Sequence, residues 1–310
     1  MKLSMRQLKT DAHEDSLWSC AWTEGPDLLL TGSVDETVKA WGASGDTCEE
    51  THTYTGHSLG VIGVAVDPRG LVASSALDSV IRVWDLTTNE TKAVIETPPA
   101  EVWSIAFSPG ESATHIAAAG GAGGAVNVFS LETKENVSTL SFPPLAADKD
   151  KNDKFVLSVA YSPDGKRIAA GAMDGSVAVF DVHQGRLMHV LEGHKMPVRD
   201  VAFSPDSKTV VTACDDSHVN MYSVESASLI SSLSGHQSWV LSVAWSPDGS
   251  GFLTGSSDRT IKVWDAASRT CTQTHTQHTD SVWGIAFKPD GTRVASVSDD
   301  KSICIFDVAS

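Results

Sequence analysis

Histidine, a hydroxyl residue and aspartate recur together along this 310-residue chain. His13, Thr31 and Asp35 form one set, His57, Ser74 and Asp78 a second, and His236, Thr254 and Asp258 a third. His194, Thr212 and Asp216, and His278, Ser296 and Asp300, keep the same spacing. These are the residue types of a nucleophilic hydrolase, and such triads are recognised by geometry rather than by chain order. The repetition argues against that chemistry, because an active site usually occurs once. Three of the sets are followed by a tryptophan at a fixed distance: Trp41, Trp84 and Trp264. An indole N–H only donates, a hydroxyl and a neutral imidazole do both, and a carboxylate only accepts. A chain Trp→Ser/Thr→His→Asp therefore satisfies every member, and each bond nets about 0.5–1.5 kcal/mol. The pattern predicts structural tetrads, with no catalytic residue and no enzyme.

Other candidates for chemistry are weaker. Gly120-Gly121-Ala122-Gly123-Gly124 lacks the spacing of a phosphate-binding loop and opens no helix, so it reads as a hairpin turn. The other histidines have no ligand spacing, so no metal site and no cofactor is expected. Cys20, Cys48, Cys214, Cys271 and Cys304 are odd in number and contain no Cys-x-x-Cys pair. They read as free thiols in a reducing compartment.

The elements that must position the sets are legible as a repeat. Residues 235–265 read GHQSWVLSVAWSPDGSGFLTGSSDRTIKVWD, residues 56–85 GHSLGVIGVAVDPRGLVASSALDSVIRVWD, and residues 193–223 GHKMPVRDVAFSPDSKTVVTACDDSHVNMYS. The closing aromatic falls at Trp41, Trp84, Phe129, Phe180, Tyr222, Trp264 and Phe306, in steps of 43, 45, 51, 42, 42 and 42 residues. Each copy parses into strands of alternating polarity. Turns such as Ser246-Pro247-Asp248-Gly249 separate the first two, with Pro setting φ and Gly accepting a positive one. Four strands per 40–45 residues is the blade of a WD-repeat β-propeller. The fold class expected is all-β: one seven-bladed propeller domain over residues 1–310. The last copy stops after its third strand, and a spare segment near Met5–Lys9 precedes the first. This segment should supply the missing outer strand and close the ring, removing an open edge.

The copies are uneven. The third has Pro98, Ala119 and Gly123 at the His, hydroxyl and Asp positions, and the fourth has Asn152, Ala170 and Asp174. Losing histidine and hydroxyl together fits a network that is satisfied or absent, so blades 3 and 4 should be the least braced. The proline- and charge-rich stretch near 141–154 explains the 51-residue step and reads as an exposed loop between them.

With 23 basic and 39 acidic residues the formal net charge is −16. That disfavours direct nucleic-acid or anionic-membrane binding, which needs clustered Lys and Arg, and no small-molecule substrate is implied. The first residues lack an apolar signal core, and no run long enough to span a bilayer occurs. The expected location is cytoplasm and nucleus. Partner proteins should dock at one mouth of the central channel. Five residues after each histidine position stand Trp18, Ile62, Trp103, Leu157, Arg199, Leu241 and Trp283, and three after stand Phe155, Pro197 and Trp239. Four of the nine tryptophans fall in this set. Trp and Arg are the types most enriched at binding hot spots. Trp18, Ile62, Trp103, Phe155, Leu157, Arg199, Trp239, Leu241 and Trp283 are the candidate partner-binding residues.

Nearly end to end, the chain also resembles one WD-repeat family, a subunit of the superkiller (SKI) complex that is shared with the RNA polymerase II-associated factor (PAF) complex. The stretches that carry this are AHEDSLWS at 12–19, LTGSVDETVK at 30–39, TGHSLGV at 55–61, KFVLSVAYSPDGKRIAAGAMDG at 154–175, LEGHKMPVR at 191–199, LSGHQSWVLSV at 233–243 and ASVSDDKS at 295–302. The charged loop before Lys154 looks most like the plant form, while loop lengths and the glycine turn of blade 3 depart from the pattern. The resemblance implies a non-catalytic scaffold. Its partners would be the tetratricopeptide-repeat scaffold and helicase of the SKI complex, in exosome-mediated 3′–5′ mRNA decay, and the PAF subunits, in transcription elongation and histone modification. The alternative is another WD-repeat adaptor, such as a ubiquitin-ligase receptor or a ciliary assembly factor.

Overall fold

The chain forms seven antiparallel four-stranded sheets, described in a computed structural model for all residues except 26, 46, 98–100, 111–113, 121–122, 144–153 and 310. Blades 1 to 6 each use four consecutive strands. Blade 6, for example, runs Val240–Trp245, Gly251–Ser256, Ile261–Asp265 and Thr270–His275. The inner strands (17–22, 61–66, 102–107, 156–161, 198–203, 240–245 and 282–287) neighbour one another in cyclic order, the last meeting the first. No helix among the described residues is long and apolar enough to cross a membrane.

The core lies between blades rather than in the middle of the ring. One apolar cluster fills each interface; Leu30, Val38 and Tyr54 of blade 1, for instance, pack on Val61, Val72 and Trp84 of blade 2. Strand patterns follow from this. Second strands have a neighbouring blade on both faces and read as nearly continuous small or apolar runs, such as Arg167–Ala172. Fourth strands cover the rim and alternate, as in Asn136–Ser141. In blade 3 the second strand ends at Gly120, where φ is +143° and a Cβ would meet the Glu101 carbonyl oxygen at 2.0 Å, so only glycine fits. The hairpin that follows is described only in part, since residues 121–122 lie outside the described residues.

Blade 7 closes the ring with an outer strand from the other end of the chain. Lys2–Lys9, three residues longer than the sequence suggested, pairs antiparallel with Ile303–Ala309 and has a bulge at Arg6. Leu3 is buried with Phe306 and Val263 at the blade 6–7 interface. Side chains tie this strand to both flanks. Gln273 of blade 6 accepts the Leu3 N–H at 2.8 Å and donates to the Leu3 carbonyl, while Arg6 donates to Asp307 and to the Gly45 carbonyl of blade 1. On the face where the inner strands end, Lys288 and Arg293 of blade 7 both pair with Asp27 of blade 1.

Two braces differ from the sequence reading. Blade 4, without the tetrad, was expected to be among the least braced, yet Lys154 is buried there. It donates to Ser176 at 3.2 Å, pairs with Asp174 at 3.1 Å and lies over the Phe142 ring. A lysine two residues beyond the histidine position reaches the same aspartate. The loop near 141–154 is correspondingly anchored at both ends, since Phe142 is buried against Phe180, and residues 144–153 lie outside the described residues. In blade 2 the tetrad is incomplete. Ser74 bonds His57, but among the described residues no hydrogen bond joins it to Trp84, whose indole packs on Tyr54 at 5.1 Å instead.

Candidate partner-binding face

The tetrads lie inside the blades. In blade 6 the Trp264 N–H donates to Thr254 Oγ1 at 2.9 Å, Thr254 lies 2.7 Å from His236 Nε2, and His236 Nδ1 lies 2.8 Å from Asp258. Blade 1 repeats this through Trp41, Thr31, His13 and Asp35, each at 2.8 Å. Satisfying every member requires the imidazole proton on Nδ1. Burial alone would raise the carboxyls of Asp35, Asp258 and Asp300. The histidine, hydroxyl and backbone N–H donors outweigh it and hold all three well below the usual carboxylate range. Thr31, Thr254 and Ser296 are fully buried, so no substrate reaches a hydroxyl that would have to attack it. His194, Cys214 and Asp216 come close enough to suggest a metal site. His194 Nδ1 and Asp216 Oδ2 are 2.6 Å apart, a direct hydrogen bond, whereas two ligands of one tetrahedral ion stand over 3 Å apart at the usual ~2.0–2.3 Å bond lengths. Cys214 occupies the place of Ser33, Ser256 and Ser298, and like them accepts the N–H two residues on.

The channel mouth is built by a different device. Every inner strand carries a register shift against its neighbour at the same place. Leu17 pairs with Ser33 and Ser19 with Gly32, leaving Trp18 unpaired; the same skip leaves out Ile62, Trp103, Leu157, Arg199, Leu241 and Trp283. A bulge adds one residue to one strand of a pair and re-aims its side chain. Seven bulges at one height turn seven side chains toward the axis, and all seven line a single cavity of about 330 Å³.

The residues differ in what they present there. Trp18 and Trp283 lie 5.7 Å apart, and Asp299 accepts both indole N–H groups, at 3.2 and 2.7 Å. Trp103 meets Phe155 edge to face at 6.1 Å, and its N–H is buried with no partner among the described residues. Arg199 is not a free cation. It makes a two-pronged pair with Asp215 at 2.9 and 2.7 Å and lies over Trp239, which is 46% exposed. Ile62, Leu157 and Leu241 were expected on the contact surface; they are 8%, 5% and 4% exposed and form the cavity wall. The sequence reading missed Asp299, which holds two indoles, and Asp200, the carboxylate that follows Arg199 in the cavity wall.

Position 200 belongs to a second ring, immediately after the bulges. Ser19 accepts the Val64 N–H of the next blade at 3.0 Å, Ser104 that of Val159 at 3.3 Å, and Asp200 that of Val243 at 2.9 Å. Burial pushes the Asp200 carboxyl up to about 7, against the opposing pull of the Val243 and Val201 N–H groups.

The repeated blade, the tetrads and the closing strand define a WD-repeat β-propeller, and comparison with known families agrees. The model of the nucleolar protein 10-like N-terminal domain, a β-propeller, matches residues 71–263, and the WD domain, G-beta repeat model matches residues 5–42, 48–85 and 269–307. The chain belongs to this family of WD-repeat β-propellers. Among individual proteins it is similar to WD repeat-containing protein VIP3 of Arabidopsis thaliana, 49% identical over 208 residues, which is 64% of each chain. It is 35% identical to WD repeat-containing protein SL1-17 of Schistosoma mansoni, over 63% of this chain and 62% of that protein. It is 31% identical to meiotic recombination protein rec14 of Schizosaccharomyces pombe, over 62% and 60% respectively. In none of the three does the match reach two thirds of the relative's length. The WD-repeat fold is typically a protein-interaction scaffold, and VIP3 and SL1-17 are both named as WD repeat-containing proteins.

Proposed function

We propose that the chain is the WD-repeat scaffold subunit of the SKI complex, serving exosome-mediated 3′–5′ mRNA decay, and of the PAF complex in transcription elongation and histone modification. The observation that carries the scaffold reading is the ring of seven bulge residues converging on one cavity. Three tryptophans in that ring put aromatic surface where a partner segment can be desolvated. The choice of complex rests on the sequence resemblance and on the likeness to Arabidopsis VIP3. The tetratricopeptide-repeat scaffold and helicase of the SKI complex, and PAF subunits, are the partners, met in cytoplasm and nucleus. The segment gripped by the ring is short and apolar or arginine-bearing, and no nucleic acid is bound directly, in keeping with the net charge of −16.

Affinity purification of the tagged chain followed by mass spectrometry tests this. SKI and PAF subunits are the expected companions; a ubiquitin ligase or a ciliary complex in their place overturns the assignment and favours another WD-repeat adaptor. Trp103→Ala combined with Trp283→Ala should abolish capture of the partner while leaving the circular dichroism spectrum unchanged. Undiminished capture would remove the ring as the docking site.

A further inference from the structure

The inner strands run from the aromatic ring to the opposite face, where each ends in a turn. Between two such turns, those of blades 5 and 6, lies a cleft of about 410 Å³. Its apolar walls are Pro205, Met221, Ile230 and Trp245, and its rim carries Asp206 and Asp248. Arg269 stands at the outer side with one guanidinium nitrogen on the Ile230 carbonyl. Each carboxylate uses one oxygen to cap its own turn. Asp206 Oδ1 accepts from Ser204 and the Lys208 N–H, and Asp248 Oδ1 from Ser246, Ser250 and the Ser250 N–H. Those donors hold both acids below their ordinary range, so both are ionised.

The repeat supplies an internal template for what fills this place. At the blade 7–1 junction the residue before the turn proline is Lys288, and the second strand begins with Arg293. Lys288 lies between Asp290 (2.7 Å) and Asp27, and Arg293 reaches Asp27 as well. In blade 5 the equivalents are Ser204 and Thr209, and the equivalent of Asp290 is Asp206. The cleft therefore has two short hydroxyl side chains where the other junction has two long bases, with Asp206 in the place of Asp290 and Ser250 in that of Asp27. Among the described residues the Trp245 N–H is buried without a partner, but so is that of Trp22, its equivalent at the filled junction. The short side chains of Ser204 and Thr209, not the indole nitrogen, leave the cleft open.

We infer that the blade 5–6 cleft is a second docking site, for a partner segment that inserts a lysine or arginine beside Asp206 and Asp248 with an apolar neighbour against Met221 and Trp245. The partner then supplies in trans the cation that blade 7 supplies in cis. The site is independent of the aromatic ring, because it opens on the other face.

Indole resonances of the protein labelled at tryptophan with ¹⁵N test this. The probe is a short peptide with one arginine between two leucines; the control carries glutamate at the central position. The arginine peptide should shift the Trp245 resonance saturably, and the glutamate peptide should not. The shift should disappear in Asp206→Asn and in Ser204→Lys, which refills the cleft from within. No Trp245 shift with the arginine peptide, an equal shift with the glutamate peptide, or a shift that survives Asp206→Asn overturns the proposal. Trp103 reports on the ring separately, so a shift there with none at Trp245 counts against the cleft and not against the ring.

Discussion

Blade 6 and blade 3 have the same four strands and opposite interiors. In blade 6 a chain of hydrogen bonds runs from Trp264 through Thr254 and His236 to Asp258, linking the third strand to the loop that enters the blade. In blade 3 the hydroxyl position is Ala119 and the aromatic is Phe129, both buried among apolar neighbours. A satisfied polar chain and an apolar filling both hold a blade, but they fail differently. Removing one member of the chain strands its partners in a dry interior, where an unmet donor or acceptor costs about 1–3 kcal/mol. Blade 3 has no such partners to strand.

The comparison can be broken from outside or from within. The largest effect should come from deleting residues 1–10, which takes away the outer strand of blade 7, the buried Leu3 and the contacts to both flanking blades. The melting temperature should fall further than for any single substitution in blade 3 or blade 6; an unchanged melt would show that the ring does not depend on its closure. Next, His236→Ala should lower stability by about 1–3 kcal/mol in a urea titration, since Thr254 and Asp258 both lose a partner. Ala119→Thr should be comparably harmful for the reverse reason: it adds a hydroxyl where the sequence has Pro98 in place of histidine. If Ala119→Thr is neutral, the two interiors are not as different as their chemistry implies.

Smaller effects refine the picture. Trp264→Phe removes one bond, about 0.5–1.5 kcal/mol, whereas Trp84→Phe should cost less, because the Trp84 N–H makes no bond to Ser74. Equal losses would mean that the stacking, not the bond, is what blade 6 uses. A separate effect is set by pH. The Asp200 carboxyl, at about 7, lies above the unfolded value near 3.9, so the folded state holds the extra proton between them. Its contribution to stability is present below the unfolded value and is lost as pH rises through 7. Asp200→Asn should therefore gain on the parent protein between pH 5 and pH 8 in paired thermal melts. The acids of the tetrads work the other way: their folded values are depressed, so their contribution is present above about 4 and is lost as pH falls further. A pH profile of Asp200→Asn parallel to the parent's would mean that this carboxyl does not titrate in the cavity.

Much of this was legible in the chain. Spacing alone placed the seven blades, the closing strand and the five His–Asp pairs, because a repeat shows the same local solution several times over. The bulges were not read, although the signal was present. In Val240-Leu241-Ser242-Val243 two apolar residues stand side by side where strict alternation forbids it. Register belongs to the pairing of two strands, so one strand's sequence shows only the irregularity. Lys154 escaped notice because it lies two residues outside the repeat position, and only the fold brings it to Asp174. Asp299 was hidden for a related reason. It serves an indole of its own blade and one from blade 1, far away in sequence and adjacent across the closed ring.

That closure also has a cost in time. The strand Lys2–Lys9 leaves the ribosome long before its partner Ile303–Ala309, and at about 5–20 residues per second the wait is roughly 15–60 s. Throughout it the segment is an unpaired edge carrying Leu3, Met5 and Leu8, the kind of strand that invites association with a neighbouring chain. Lys2, Arg6 and Lys9 are spaced along it, and like charges at intervals keep such edges apart. The positive residues that later clasp Asp307 and cover Trp41 first act as guards on a strand with nothing yet to pair with.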